Sequence, residues 1–143
     1  MVFGATFIDT WGWIALGRRK DPRHAEAAEY YRALSRTSER IYTSDYVLDE
    51  AITLIFRRES FVEAARFVNS IIASASSGYI IVEQISPERF TAAWNLRLRL
   101  KDKARISFTD LTSMIVMRER GVKHVLTDDK HFAQVGLGFE LAP

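Results

Sequence analysis

The sequence predicts an α/β fold: a three-layer α/β/α sandwich around a central, mainly parallel sheet of four or five strands. Three observations predict it. Short apolar or β-branched runs recur at residues 2–8, 41–43, 79–85 and 123–127, as expected of strands buried on both faces. Between them lie segments with apolar residues at helical spacing, most of them opened by Ser, Asp or Pro. These segments are long enough to serve as crossovers, and right-handed crossovers place helices on both faces of a parallel sheet. With 143 residues, 48% apolar and 27% charged, the chain reads as a single domain, 1–143, able to bury one core without staples.

The elements follow in order. Residues 2–8 form the first strand, and Asp9 stands at its end, where it can cap a helix starting near Thr10 or Trp11. Asp21-Pro22 reads as an N-cap followed by proline at the first helical position, opening a helix to about Thr37 with Ala27, Ala28, Tyr31 and Leu34 facing inward. Residues 41–43 are a short strand, after which Ser44 or Asp45 caps a helix to about Phe56. Ser60-Phe61-Val62-Glu63 is a capping box. Residues 79–85 read as a strand, Ser86-Pro87-Glu88 opens a helix to about Leu100, and Ser107 opens another that ends near Gly121. Residues 123–127 form a strand, 130–132 a short helix and 139–141 a last strand.

There are no cysteines, which excludes disulfides, thiolate metal sites and cysteine nucleophiles and suits a reducing compartment. The net charge of +2 is too small to argue for a nucleic-acid partner by itself. Residues 97–105, however, hold Arg97, Arg99, Lys101, Lys103 and Arg105 against Asp102 alone. Such a run can track a phosphate backbone, or its cations can complement the dipole at a helix C-terminus. Arg18, Arg19 and Lys20 admit a similar pair of readings. The apolar N-terminal stretch has its positive charges after it, not before, and contains Asp9, so it is read neither as a signal peptide nor as a membrane span. A cytoplasmic location is expected.

In an open parallel sheet the working site lies at the carboxyl ends of the strands, where strand order reverses. Asp9 falls at such an end, and so do Asp128 and Asp129, although each can equally cap a helix or a turn. Asp110 sits within an acidic variant of the capping box, Ser107-Phe108-Thr109-Asp110. At 100° per residue it aligns with Met114 and Met117, on the face the helix should bury. No basic residue stands three or four positions away, and a buried carboxylate is rare unless it is paired or bound to a metal. Glu50 lies at the edge of the apolar stripe of its helix, with Asp49 turned further towards solvent. Four acids converging on one cleft would repel one another. Two divalent cations bound by oxygen, Mg²⁺ or Mn²⁺, would neutralise their formal charge and suit phosphodiester hydrolysis.

These residues resemble the PIN-domain nucleases and, for a lone domain of this length, the VapC toxins. The resemblance rests on Phe7-Ile8-Asp9-Thr10, on the segment from Thr43 to Ala51 with Glu50 as its acid, on Ser107-Phe108-Thr109-Asp110, and on Leu126-Thr127-Asp128-Asp129-Lys130-His131-Phe132. The family spacing, three residues before the phenylalanine, selects Asp129 over Asp128. The resemblance implies a PIN-like fold and a Mg²⁺- or Mn²⁺-dependent ribonuclease, with Asp9, Glu50, Asp110 and Asp129 as catalytic and metal-binding residues. It also implies an RNA substrate, a homodimer and a cognate antitoxin. After the first Asp-Thr the family often carries Asn or Ser, whereas this chain has Trp11.

Other readings compete. A phosphoacceptor receiver domain would need paired acids after the first strand and a late lysine, and neither is evident. A non-catalytic nucleic-acid- or partner-binding module on the same scaffold would tolerate loss of acids, yet all four are present. His24, His124 and His131 lack zinc-ligand spacing, although His131 stands close to Asp129. Trp11, Trp13, Phe56, Phe61, Phe67 and Trp94 fall at helical spacing and read as core or dimer surface rather than as base-stacking platforms.

Overall fold

The computed structural model describes residues 4–143. Strand β1 spans Thr6–Ile8 and is followed by α1 (Thr10–Gly17) and α2 (His24–Ser35). Then come β2 (Ile41–Ser44), α3 (Asp45–Arg58), α4 (Phe61–Ser76), β3 (Ile80–Glu83), α5 (Pro87–Arg99) and α6 (Phe108–Arg120). The chain closes with β4 (His124–Leu126), α7 (His131–Gln134) and β5 (Glu140–Ala142). The five strands lie in the order β3-β2-β1-β4-β5, and every pairing is parallel. All residues of β1 and β2 are buried. Since successive side chains point to opposite faces, helices must cover both faces of the sheet.

Local chemistry sets most helix starts. The hydroxyls of Ser44, Ser60, Ser86 and Ser107 accept hydrogen bonds from the backbone N–H groups of Val47, Glu63, Arg89 and Asp110, respectively. Helix α6 ends at Gly121, whose φ of 66° is the left-handed conformation glycine adopts without penalty. The following Val122 N–H then reaches back to the Met117 carbonyl at 2.8 Å.

The structure corrects some of the expected boundaries. Helix α2 begins at His24, not beside Asp21. Asp21 Oδ1 accepts from Arg23 N at 2.8 Å, so Pro22 and Arg23 are spent on an Asx-type turn. Strand β3 stops at Glu83 because the next N–H to seek a partner, that of Ile85, donates to Asp45 Oδ1 at 3.0 Å. The last strand is shifted by one residue, and Phe139 packs edge-on against Phe132 instead. Of the first expected strand, residues 2 and 3 lie outside the described residues.

The core runs through the sheet from Phe7, Ile8 and Val125 to Trp13 on α1 and Leu111, Met114 and Met117 on α6. One polar relay crosses it: Trp13 Nε1 donates to Thr43 Oγ1 at 3.0 Å, and that hydroxyl donates to the Ile8 carbonyl at 2.9 Å. Arg97, from the basic run, donates to the carbonyls of Leu100, Lys103 and Ile106. It is thereby committed to closing the loop between α5 and α6. Among the described residues, no helix is long and apolar enough to cross a membrane.

Strand order places β1 at the centre. The chain first moves outward through β2 and β3, then returns to the other side of β1 with β4 and β5. The reversal point therefore lies between β1 and β4, and the loops after these two strands face each other there. Gly12 makes this junction possible, since a Cβ on it would stand 2.3 Å from the Leu126 carbonyl oxygen. In an open helix Gly→Ala stabilises by about 0.5–1 kcal/mol. Here Gly12→Ala is expected to destabilise the fold by about 1–3 kcal/mol through overpacking against backbone, read as a lower urea midpoint at unchanged m-value.

Candidate active site

The residue after β1 is Asp9, and it caps α1: its Oδ1 accepts from Gly12 N at 2.8 Å. Its Oδ2 accepts from the Thr127 hydroxyl, just past β4. The carboxyl is 1% exposed. Thr127 has a second task, because the same hydroxyl accepts from Asp129 N at 2.9 Å. One side chain thus fixes Asp9 and sets the turn that presents Asp129. Thr127 was not singled out from the sequence. Its only signal was its place between the strand and the two aspartates.

Asp110 enters from the first turn of α6, above the buried Leu111 and Met114. Ligand atoms of Asp110, Asp129 and His131 all lie within 4.8 Å of one another. Asp129 Oδ1 accepts from His131 N at 2.9 Å, and His131 Nδ1 lies at the same distance from that oxygen, without the alignment of a hydrogen bond. Glu50 projects from α3, which packs against α1, and its charge acts on Asp9. The four acids named from the sequence therefore belong to one electrostatic cluster.

Asp128 is separated from this cluster. It is exposed and pairs with Arg23 Nη1 at 2.9 Å, and the same guanidinium nitrogen donates to the Thr127 carbonyl at 3.1 Å. An arginine 105 positions away thus pairs with Asp128, while Asp129 lies beside Asp110. Trp11 does not disturb Asp9, which takes its backbone donor from Gly12. The indole is 40% exposed, and the Arg58 guanidinium lies 5.3 Å from the ring centroid.

The electrostatics follow from burial and crowding. Desolvation pushes Asp9 up to about 7 against the pull of its two hydrogen bonds, and the charges of Asp129 and Glu50 push the same way. Asp110 is pushed up to about 8, first by burial, then by the charge of Asp9, then by a hydrogen bond in which Asp129 stabilises the protonated form. Among the described residues, no lysine or arginine forms an ion pair with Asp9, Glu50, Asp110 or Asp129. Carboxylate oxygens with one imidazole nearby and no thiolate form a donor set suited to a hard divalent cation such as Mg²⁺ or Mn²⁺.

Comparisons with known proteins agree with this architecture. The model of the PIN domain family matches residues 6–137. VapC20 of Mycobacterium tuberculosis, named as a 23S rRNA-specific endonuclease, is 32% identical over 130 residues, covering 91% of this chain and 93% of that protein. A crystal structure of M. tuberculosis VapC20, described as a sarcin-ricin loop cleaving toxin, superposes with a TM-score of 0.78 at 30% identity, over 92% of this chain and 95% of that one. The Rickettsia felis VapBC2 structure, bound to a promoter DNA fragment, has a TM-score of 0.71 at 14% identity over 96% of each chain, a likeness of fold alone.

The raised carboxyls make stability depend on pH. From about 3.8, the ordinary aspartate value, up to about 7 and 8, the folded protein binds more protons than the unfolded chain. Stability from these groups is full below that window and is lost as pH rises through it. In chelator, the melting temperature of the unmodified chain is expected to fall between pH 5 and pH 8.5. The fall should be smaller for Asp110→Asn, which carries no ionisable proton. Thermal melts of both proteins across that range test this.

Proposed function

This chain belongs to the PIN domain family, and we propose that it is a metal-dependent endoribonuclease hydrolysing RNA phosphodiester bonds and acting as the toxin of a toxin–antitoxin pair. What supports this reading is that Asp110, Asp129 and His131 offer ligand atoms within 4.8 Å of one another, that the charges of Asp9 and Glu50 act on the same group of acids, and that no lysine or arginine among the described residues pairs with these acids. A non-catalytic binding module would have no need to keep four acids in mutual repulsion.

In this reading, one or two Mg²⁺ or Mn²⁺ ions are held by Asp9, Glu50, Asp110 and Asp129. Such ions supply Lewis acidity, lowering the pKa of water and offsetting charge on the phosphate under attack. The protein contributes rigidity and charge. Asp9 is locked by the Gly12 N–H and the Thr127 hydroxyl. Asp110 and Asp129, whose ligand atoms lie within 4.8 Å of one another and of His131, would supply carboxylate oxygens to such an ion. Glu50 adds negative charge from α3. Arg99, Lys101 and Arg105 are exposed and can follow an RNA backbone, whereas Arg97 is occupied by its loop carbonyls.

The relative named as a 23S rRNA endonuclease makes ribosomal RNA the first substrate to try, and the cytoplasm is the matching compartment. Phe90, Trp94 and Leu98, spaced four apart on α5, are all about half exposed. They offer an apolar face for a second copy of the chain or for an antitoxin.

Purified protein is expected to cleave RNA with Mn²⁺, leaving 5′-phosphate and 3′-hydroxyl ends, and to stop in chelator. Asp9→Asn and Asp110→Asn should each lose about 100-fold or more in rate, the scale on which charge stabilisation of a transition state acts. Equal cleavage by all three proteins would defeat the reading. Mn²⁺ at about 100 times its dissociation constant should stabilise the unmodified fold by about 2.7 kcal/mol, and Asp110→Asn by much less. Calorimetry measures this independently of turnover.

A further inference from the structure

Beside the acid cluster lies a cavity of about 100 Å³ whose wall includes Trp11, Gly12, Arg23, Thr127 and Asp128. Two of these residues also build the cluster: Gly12 N–H and the Thr127 hydroxyl are the two donors to Asp9. Whatever enters the cavity therefore shares the Gly12 and Thr127 walls with Asp9. The indole of Trp11 forms a wall of this cavity, with Arg58 set against the ring and outside the lining. Trp11 Nε1 has no hydrogen-bond partner among the described residues, so the ring's polar edge is free to meet a ligand.

Asp128 supplies the polar edge. Arg23 holds its Oδ1 at 2.9 Å, which orients the carboxylate, and the side chain remains 66% exposed. Oδ2 has no protein donor among the described residues. A flat aromatic wall, an oriented acceptor and an arginine at 5.3 Å from the ring match an unpaired nucleobase: a π-face to stack, an edge to read and a phosphate to attract. A carboxylate accepts from an exocyclic amino group such as N4 of cytosine. Uracil presents a carbonyl oxygen there, which the carboxylate repels.

We infer that this cavity is a base-reading subsite in which Trp11 stacks the base next to the scissile phosphate and Asp128 selects bases with an amino edge over uracil. Both are specificity-determining residues. The inference rests on the nuclease reading for its substrate, and its test is arranged so that the two can fail separately.

The probes are fluorescent RNA decamers C10 and U10, which are unpaired and need no knowledge of register. Binding is measured by anisotropy in Mg²⁺, with Asp110→Asn as the non-cutting parent. The parent is expected to bind C10 about fivefold or more tighter than U10. Adding Asp128→Asn should bring that ratio below about twofold, because an amide can donate to the uracil oxygen. Adding Trp11→Ala should weaken C10 binding about tenfold, while Trp11→Phe, which keeps a ring, should stay within about threefold of the parent. Trp11 is 40% exposed, and a melt of each variant verifies the fold.

No measurable binding of either decamer, a parent ratio near one, a ratio unmoved by Asp128→Asn, or unchanged binding by Trp11→Ala would each overturn the subsite. If the unmodified chain cuts RNA while these controls fail, only the subsite is lost. If the binding pattern holds and the unmodified chain cuts nothing in Mn²⁺, the nuclease reading falls and the subsite stands.

Discussion

A carboxylate withdrawn from water and placed beside other carboxylates is the constraint on which this structure turns. Asp9 is buried at the end of the central strand, and among the described residues its carboxylate is held by one N–H and one hydroxyl. Three more acids add their charge from α3, α6 and the loop after β4. Such an arrangement costs folding energy, and it persists because the core beneath it is dense. Phe7, Ile8, Leu111, Met114 and Met117, all essentially without exposure, hold the elements in place whether or not the acids repel. The fold carries the strain, and a cation is the natural means of relieving it.

The chain treats Glu83, Asp128 and Glu59 differently, since each has an arginine partner. Glu83 is also buried and also ends a strand. It is gripped by Arg89 and by Arg120, with both oxygens used, and the Arg120 contact above all holds it below the usual carboxylate range. Asp128 is held by Arg23, and Glu59 lies 3.7 Å from Arg18. At these positions arginine neutralises the charge. Among the described residues none does so at the reversal point between β1 and β4, and burial alone would not have distinguished Asp9 from Glu83.

Much of the architecture was legible because its determinants are local. Serines 44, 60, 86 and 107 each cap the helix that follows, by a bond spanning three residues, and such bonds can be read from neighbouring letters. Asp110 was legible for the same reason: helical periodicity put it on the apolar face with no basic neighbour. The misread boundaries have distant or competing partners. Asp21 looked like a helix cap, but its oxygen closes a turn whose Arg23 is held by Thr127 and Asp128, far along the chain. The end of β3 is set by Asp45, forty positions earlier.

By itself the sequence determined the alternation of strands and helices, the chemistry of the four acids and their order along the chain, since periodicity and capping act over a few residues. Tertiary structure alone decided that Thr127 would join Asp9 to Asp129, that Arg23 would draw Asp128 aside, that Arg97 would be spent on a loop, and that Trp11 would face a cavity next to the acids. All but the Arg97 contacts, which close a local loop, depend on which strand lies beside β1. That neighbour is chosen by packing across more than a hundred residues, a distance over which no spacing of letters carries a signal.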